Sequence, residues 1–167
     1  MLVRPETEND WNAVRAVNAS AFETQAEANL VDNLRNQAAP VVSLVAVDEE
    51  DIVGHIMFSP VSLAGCADIN MMGLAPMAVT PEHQGKGIGS ALVKEGLERC
   101  RQLGMVAVAV LGHAEYYPRF GFEPSSRFDI TSEYDVPEDV FMLLELRPYA
   151  LTEKAGTVKY HAAFNNI

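Results

Sequence analysis

The chain has 167 residues, of which 49% are hydrophobic, with 12 Lys and Arg against 23 Asp and Glu, giving a formal net charge of −11. That length suits a single domain spanning 1–167 with a sizeable core, and so acidic a surface without a basic patch excludes a nucleic-acid partner. No apolar run reaches the roughly 20 residues that cross a membrane, and Met1–Glu6 lacks the apolar core of a signal peptide, so a cytoplasmic location is the default expectation.

In chain order, Met1–Arg4 reads as a short strand. Thr7 or Asn9 caps a helix from about Asp10 to Phe22, with Trp11, Val14, Val17 and Phe22 at near-helical spacing. A second helix spans about Glu23–Asn36, with Leu30, Val31 and Leu34 on one face, and Pro40 stops it. Val41–Val47 and Ile52–Val61 read as strands joined at Asp48–Asp51. Gly54 marks a bulge or close packing in the second of them. A turn at Gly65–Asp68 leads to a third strand, Asn70–Val79, so this run is an antiparallel meander.

The next helix is sharply patterned. Leu92, Val93, Gly96, Leu97, Cys100 and Leu103 share one face, and Gly104 ends it. Met105–Leu111 has no polar residue and reads as a strand buried on both faces. Strand, helix and strand make a βαβ unit with parallel strands. Gly112–Arg119 is a short helix or turn, Val140–Leu146 a strand, and Thr157–His161 a short edge strand. Cys66 and Cys100 are the only cysteines. Cys100 falls on an apolar stripe, and neither cysteines nor histidines have ligand spacing, so no metal is expected.

The most informative stretch joins the third strand to the patterned helix: Thr80-Pro81-Glu82-His83-Gln84-Gly85-Lys86-Gly87-Ile88-Gly89-Ser90. Glycines at 85, 87 and 89 leave the first N–H groups of the helix uncovered. A helix N-terminus carries unpaired donors and about half a positive charge, a fit for phosphate. A P-loop needs Ser or Thr after its lysine, and Gly87 follows Lys86. A dinucleotide fingerprint needs a third glycine at position 90, where Ser stands, and an acidic residue about 20 positions on, where the chain is wholly apolar. A nucleotide-binding oxidoreductase is therefore disfavoured.

Gln84-x-x-Gly87-x-Gly89 after a strand resembles the acyl-CoA motif of the GNAT superfamily of N-acetyltransferases. Downstream, Tyr117, Gly121 and Phe122 match the family's Y-x-x-x-G-F, one helix and one strand later. The resemblance implies an α/β (α+β) fold with a mixed central sheet, a meander followed by a βαβ unit, flanked by helices. It implies an acetyl-CoA-dependent N-acetyltransferase that moves an acetyl group to an unidentified amine within a ternary complex, with no metal, no membrane and, as family members are often dimers, a homodimer. A non-catalytic acyl-CoA-binding or sensing module on the same fold is the alternative.

By the same resemblance, Gln84, Gly85, Lys86, Gly87, Ile88, Gly89 and Ser90 hold the pyrophosphate of coenzyme A, with Lys86 adding charge. Met77, Ala78 and Val79 lie along the pantetheine arm, where a backbone N–H polarises the thioester carbonyl. Arg119 stands near the phosphates. Many members carry an asparagine seven residues before the tyrosine; here that position is Val110, and backbone at Leu111 and Gly112 replaces its contact. Tyr117 is the candidate general acid, since a phenol near pKa 10 is protonated at neutral pH, and Tyr116 is its competitor. The base stays open among His113, Glu115, His55 and a water chain. The first two helices flank the acceptor site in the family, which makes Glu23, Glu27 and Asp32 candidates to meet a cationic substrate, against the simpler reading of a solvated acidic face.

Overall fold

The computed structural model describes residues 1–166. Nine strands form the sheet among the described residues: β1 (Leu2–Pro5), β2 (Val42–Asp48), β3 (Asp51–Leu63), β4 (Met71–Val79), β5 (Ala107–Leu111), β6 (Glu123–Pro124), β7 (Ile130–Ser132), β8 (Phe141–Glu145) and β9 (Gly156–Lys159). The helices are α1 (Trp11–Ala21), α2 (Ala26–Gln37) and α3 (Ile88–Gln102). The strand order is β1-β2-β3-β4-β5-β8-β6, with β9 pairing both β3 and β7 off this path. β1 to β4 run antiparallel, and β4 pairs β5 in parallel through α3. The expected meander and βαβ unit are both present. No helix is long and apolar enough to cross a membrane among the described residues.

The α1 and α2 boundaries differ from the sequence expectation. α2 begins at Ala26 rather than Glu23, because Phe22–Gln25 forms the corner between the helices. A 3₁₀ turn over Glu8–Asp10 precedes α1. There the Thr7 N–H donates to Asp10 Oδ2 at 2.7 Å, a carboxylate that Arg4 also grips at 2.7 and 3.1 Å.

The two faces of the sheet bury different partners. Alternate strand residues Leu44, Ile56, Phe58, Met72, Val108 and Val110 meet Ile88, Leu92, Val93, Leu97 and Cys100 of α3. Fully burying a Leu or Phe in such a layer contributes roughly 1.5–3 kcal/mol. Burial pushes the Cys100 thiol up to about 12, so it is an inert core group. Val45 and Met57 face the other way, onto Val14 of α1, Leu30, Val31 and Leu34 of α2, and Phe164. Gly54 does both things expected of it. A bulge puts Val53 between the pairs Ala46↔Gly54 and Val47↔Ile52, and a Cβ on Gly54 would meet Ile88 at 3.0 Å.

The α1/α2 face also holds a buried polar cluster. His55 is fully buried. The Asn18 amide donates to the Val14 carbonyl at 3.0 Å and to His55 Nδ1 at 3.1 Å, which leaves the ring proton on Nε2, donated to Ser43 Oγ at 2.9 Å. Burial pushes His55 down to about 4; Glu6 opposes that shift and Arg35 adds to it. Arg35 binds Glu6 in a fork at 2.7 and 2.9 Å, holds Asp32 at 3.0 Å, and lies 4.7 Å over the Trp11 ring. Burial pushes the Glu6 carboxyl up, but Arg35 and Ser43 outweigh it and hold it below its usual range.

Candidate active site

β4 and β5 pair only from Met71↔Ala107 to Leu74↔Val110, and after Leu74 they part. On its other side β4 stays paired with β3, out to Val79↔Gly54. Between Ile56↔Met77 and Phe58↔Leu74 a bulge sets Ala75 and Pro76 against Met57 alone. Ala75–Val79 therefore presents an open strand edge inside the sheet, and it runs straight into the glycine loop.

The loop is shaped by where its glycines sit. Gly87 caps α3 with φ +84°, a left-handed conformation that a side chain strains, and a Cβ there would point into open space. The first ladder bond of α3 is Ala91 N–H to Gly87 carbonyl at 3.1 Å. The N–H groups of Ile88, Gly89 and Ser90 precede that bond and have no partner in the helix ladder. Gln84 explains its own place in the motif. Its side-chain amide donates to the Val79 carbonyl at 3.0 Å, pinning the loop to the end of β4. Thr80 Oγ1 and His83 Nδ1, 2.8 Å apart, brace the turn before it.

A groove of about 530 Å³ opens over this loop. Met77, Ala78, Val79, Gln84, Gly85, Gly87, Ile88, Gly89, Ser90 and Arg119, all named from the sequence as candidates, line it. So do Ala21, Phe22, His83, His113 and Tyr116. In a chain of net charge −11, no carboxylate is among these lining residues, which include one arginine, two histidines and the positive end of α3. The groove is built for an anion. Arg119 is anchored there. Its Nε donates to the Tyr116 carbonyl at 2.9 Å, and its guanidinium carbon lies 4.3 Å from the centre of the Tyr116 ring.

The two adjacent tyrosines point differently, because they lie on a tight 3₁₀ turn over Tyr117–Phe120. Tyr116 lines the groove, its hydroxyl 3.2 Å from Ser90 Oγ. Tyr117 is only 7% exposed and packs edge-on to Tyr116 and Phe122, at centroid distances of 5.2 and 5.7 Å. Burial, with Tyr116 beside it, pushes its phenol up to about 12. Gly112 and Lys86 are not among the lining residues. The Gly112 N–H donates to the Val140 carbonyl at 3.0 Å, and a Cβ there would meet the Tyr117 ring at 2.5 Å, so this glycine makes room for the tyrosine. Lys86 is exposed to solvent.

Of the base candidates, His113 lines the groove, Glu115 does not, and His55 is sealed in the polar cluster. Sequence reading missed Ala21 and Phe22, which reach the groove only through tertiary packing of α1. It also missed His83, whose signal was its place in the loop itself. Among the described residues no group of His, Cys, Asp and Glu is arranged to hold a metal.

Comparison with known proteins places this geometry. A sequence model of the acetyltransferase (GNAT) domain matches residues 2–125. The N-acetyltransferase YhbS of Escherichia coli K12 is 37% identical over 168 aligned residues, covering 100% of both chains. The N-acetyltransferase YjhQ of the same strain is 40% identical over 153 residues, 86% of this chain and 84% of that protein. The crystal structure of E. coli YhbS in complex with CoA superposes with a TM-score of 0.92 at 36% identity, covering 98% of this chain and 91% of the other. A GNAT family acetyltransferase from Brucella melitensis in complex with acetyl-CoA gives 0.80 at 36% identity, covering 98% and 97%.

Proposed function

This chain belongs to the GNAT family of acetyltransferases, and from that premise we propose that it transfers an acetyl group from acetyl-CoA to an amine by direct attack in a ternary complex. The observation that carries the reading is the parting of β4 from β5 after Leu74, which leaves the Ala75–Val79 edge open at the foot of an α3 N-terminus that no side chain caps. A pantetheine arm has amides that pair with such an edge, and a pyrophosphate takes the free donors of Ile88, Gly89 and Ser90. The related YhbS and B. melitensis structures hold CoA and acetyl-CoA.

In the proposed reaction the amine nitrogen attacks the thioester carbonyl. A free β4 N–H beside Met77 or Ala78 takes the charge that develops on oxygen. The C–S bond then breaks, the amide forms, and the proton lost by the amine balances the one gained by the thiolate. Tyr117 is the proposed acid. A phenol at about 12 stays protonated throughout the working range. Full transfer to a thiolate, whose conjugate acid is near 8.5, is uphill by roughly 5 kcal/mol. Its part is therefore a hydrogen bond to the departing sulfur, with the proton supplied in net by the attacking nitrogen, which loses it on becoming the amide.

Tyr116 is the second reading, favoured by its place on the groove wall. Release of free CoA thiol from acetyl-CoA with a panel of amines tests both. Tyr117→Phe is expected to lower the rate about 100-fold or more with acetyl-CoA affinity near wild type, and Tyr116→Phe to act chiefly on affinity. The reverse pattern would move the acid to Tyr116. Binding without turnover of any amine would favour the sensing module.

A further inference from the structure

The four histidines of the chain divide three to one. His55 has both ring nitrogens engaged, by Asn18 and Ser43. His83 Nδ1 lies 2.8 Å from Thr80 Oγ1. His161 Nδ1 accepts the Ala163 N–H at 3.0 Å. The fourth, His113, is exposed on the groove wall, and among the described residues its ring has no hydrogen-bond partner. Its backbone, by contrast, is held. The His113 carbonyl accepts the N–H groups of Tyr116 at 3.0 Å and Tyr117 at 3.4 Å, and the Gly112 N–H before it donates to Val140. A fixed main chain thus presents a free imidazole.

The strand register says what that imidazole faces. β4 and β5 pair in parallel up to Leu74↔Val110. Counted three residues further along each strand, Met77 stands across the opening from His113. The bulge gives β4 one extra residue, which makes the partner Ala78. Both residues line the groove together with His113. On the acyltransferase reading, their N–H groups are the ones that hold the thioester oxygen. His113 therefore stands on the far bank from the reacting carbonyl, away from the phosphate end.

An amine that becomes an amide loses a proton, and a thiolate that leaves gains one. Burial holds the Tyr117 phenol at about 12, too high to give its own proton away. An imidazole suits both halves of the exchange. It takes a proton from the nitrogen once that is bonded to carbon. An imidazolium, ordinarily near 6.5, yields it to a thiolate whose conjugate acid is near 8.5. The titratable and charged side chains that face the groove with His113 are His83, Tyr116 and Arg119. Arg119 is fixed as a cation, and His83 belongs to the glycine loop at the phosphate end.

We infer that His113 carries the proton from the attacking nitrogen to the departing sulfur. The nitrogen lone pair forms the N–C bond, and a His113 ring nitrogen takes the N–H proton. The C–S bond breaks with its electron pair on sulfur, the imidazolium protonates the thiolate, and neutral His113 is restored. This inference rests on the acyltransferase reading, and the test separates the two. Release of CoA thiol is followed against pH with the fastest of butylamine, phenethylamine, lysine and spermidine. His113→Gln, a change at an exposed site, is expected to fold normally. It should keep acetyl-CoA affinity within about 3-fold by calorimetry and lose about 100-fold in kcat. The acidic limb of the wild-type kcat profile should disappear in this variant, while a limb from the amine's own ionisation stays. His83→Gln should keep both limbs, and added imidazole should restore part of the rate of His113→Ala. A wild-type profile in His113→Gln, or loss of the acidic limb in His83→Gln instead, overturns the inference and leaves the acyltransferase reading intact. A wild-type protein that turns over none of these amines would remove both.

Discussion

Two polar regions sit on the same sheet and follow opposite rules. On the α1/α2 face, Asn18, Ser43 and His55 are buried, Glu6 and Arg35 are largely enclosed, and the five bond largely to one another. At the end of β4, the first amides of α3 have no ladder partner and open onto a groove. The closed cluster holds α1, α2, β2 and β3 in one arrangement. The open loop has donors with no partner in the helix ladder, free for water or a ligand. Which polar groups are left unanswered, rather than how polar a region is, separates site from scaffold.

The largest expected effect breaks the closed cluster alone. Arg35→Met leaves the Glu6 carboxylate buried without its cation, which is expected to cost about 3–5 kcal/mol, read as a lower urea midpoint. Acetyl-CoA affinity of the folded protein should not change. Parallel losses of stability and affinity would erase the distinction between the regions.

Gly87→Val makes the converse test. Its φ of +84° strains a β-branched residue, and the loop must shift to relieve it. Acetyl-CoA affinity is expected to fall about 100-fold, roughly 2.7 kcal/mol, with a stability loss of about 1–2 kcal/mol. Calorimetry that finds full affinity would show that these amides do not carry the phosphates.

The closed cluster should also report on pH. His55 binds a proton near 6.5 when unfolded and only at about 4 when folded. Protons between those values favour the unfolded chain, so stability present above 6.5 is lost as pH falls toward 4, by about 2 kcal/mol at pH 5. Denaturation at pH 7 and 5 should show that loss in wild type and a smaller one in His55→Gln. A wild-type chain more stable at pH 5 would contradict the assignment of His55 as a buried neutral group.

The smallest effect belongs to Lys86. It is exposed and outside the groove wall, so Lys86→Ala should weaken acetyl-CoA binding by no more than about 3-fold. A larger loss would extend the open region to this side chain.

The open region was largely legible in the sequence and the closed one was not. Glycines at 85, 87 and 89 and the helical stripe after them lie within one short stretch, so their spacing reports local geometry directly. Asn18, Arg35, Ser43 and His55 come from four separate elements and Glu6 from the loop after β1, and no periodicity links them. His55, weighed as a base from its type alone, proves to be structural. The strands β6 and β7, of two and three residues, are too short for a two-residue period to register. The opposite placements of Tyr116 and Tyr117 follow from the 3₁₀ turn and from the space that Gly112 leaves, neither of which a motif encodes.

Backbone amide shifts on adding acetyl-CoA test the central claim most directly, since both regions are read in one titration. The amides of Met77, Ala78, Gly85, Gly87, Ile88, Gly89 and Ser90 are expected to move at one-to-one stoichiometry, while those of Asn18, Ser43 and His55 stay in place. Shifts centred on the closed cluster, or a loop that does not respond, would contradict the account.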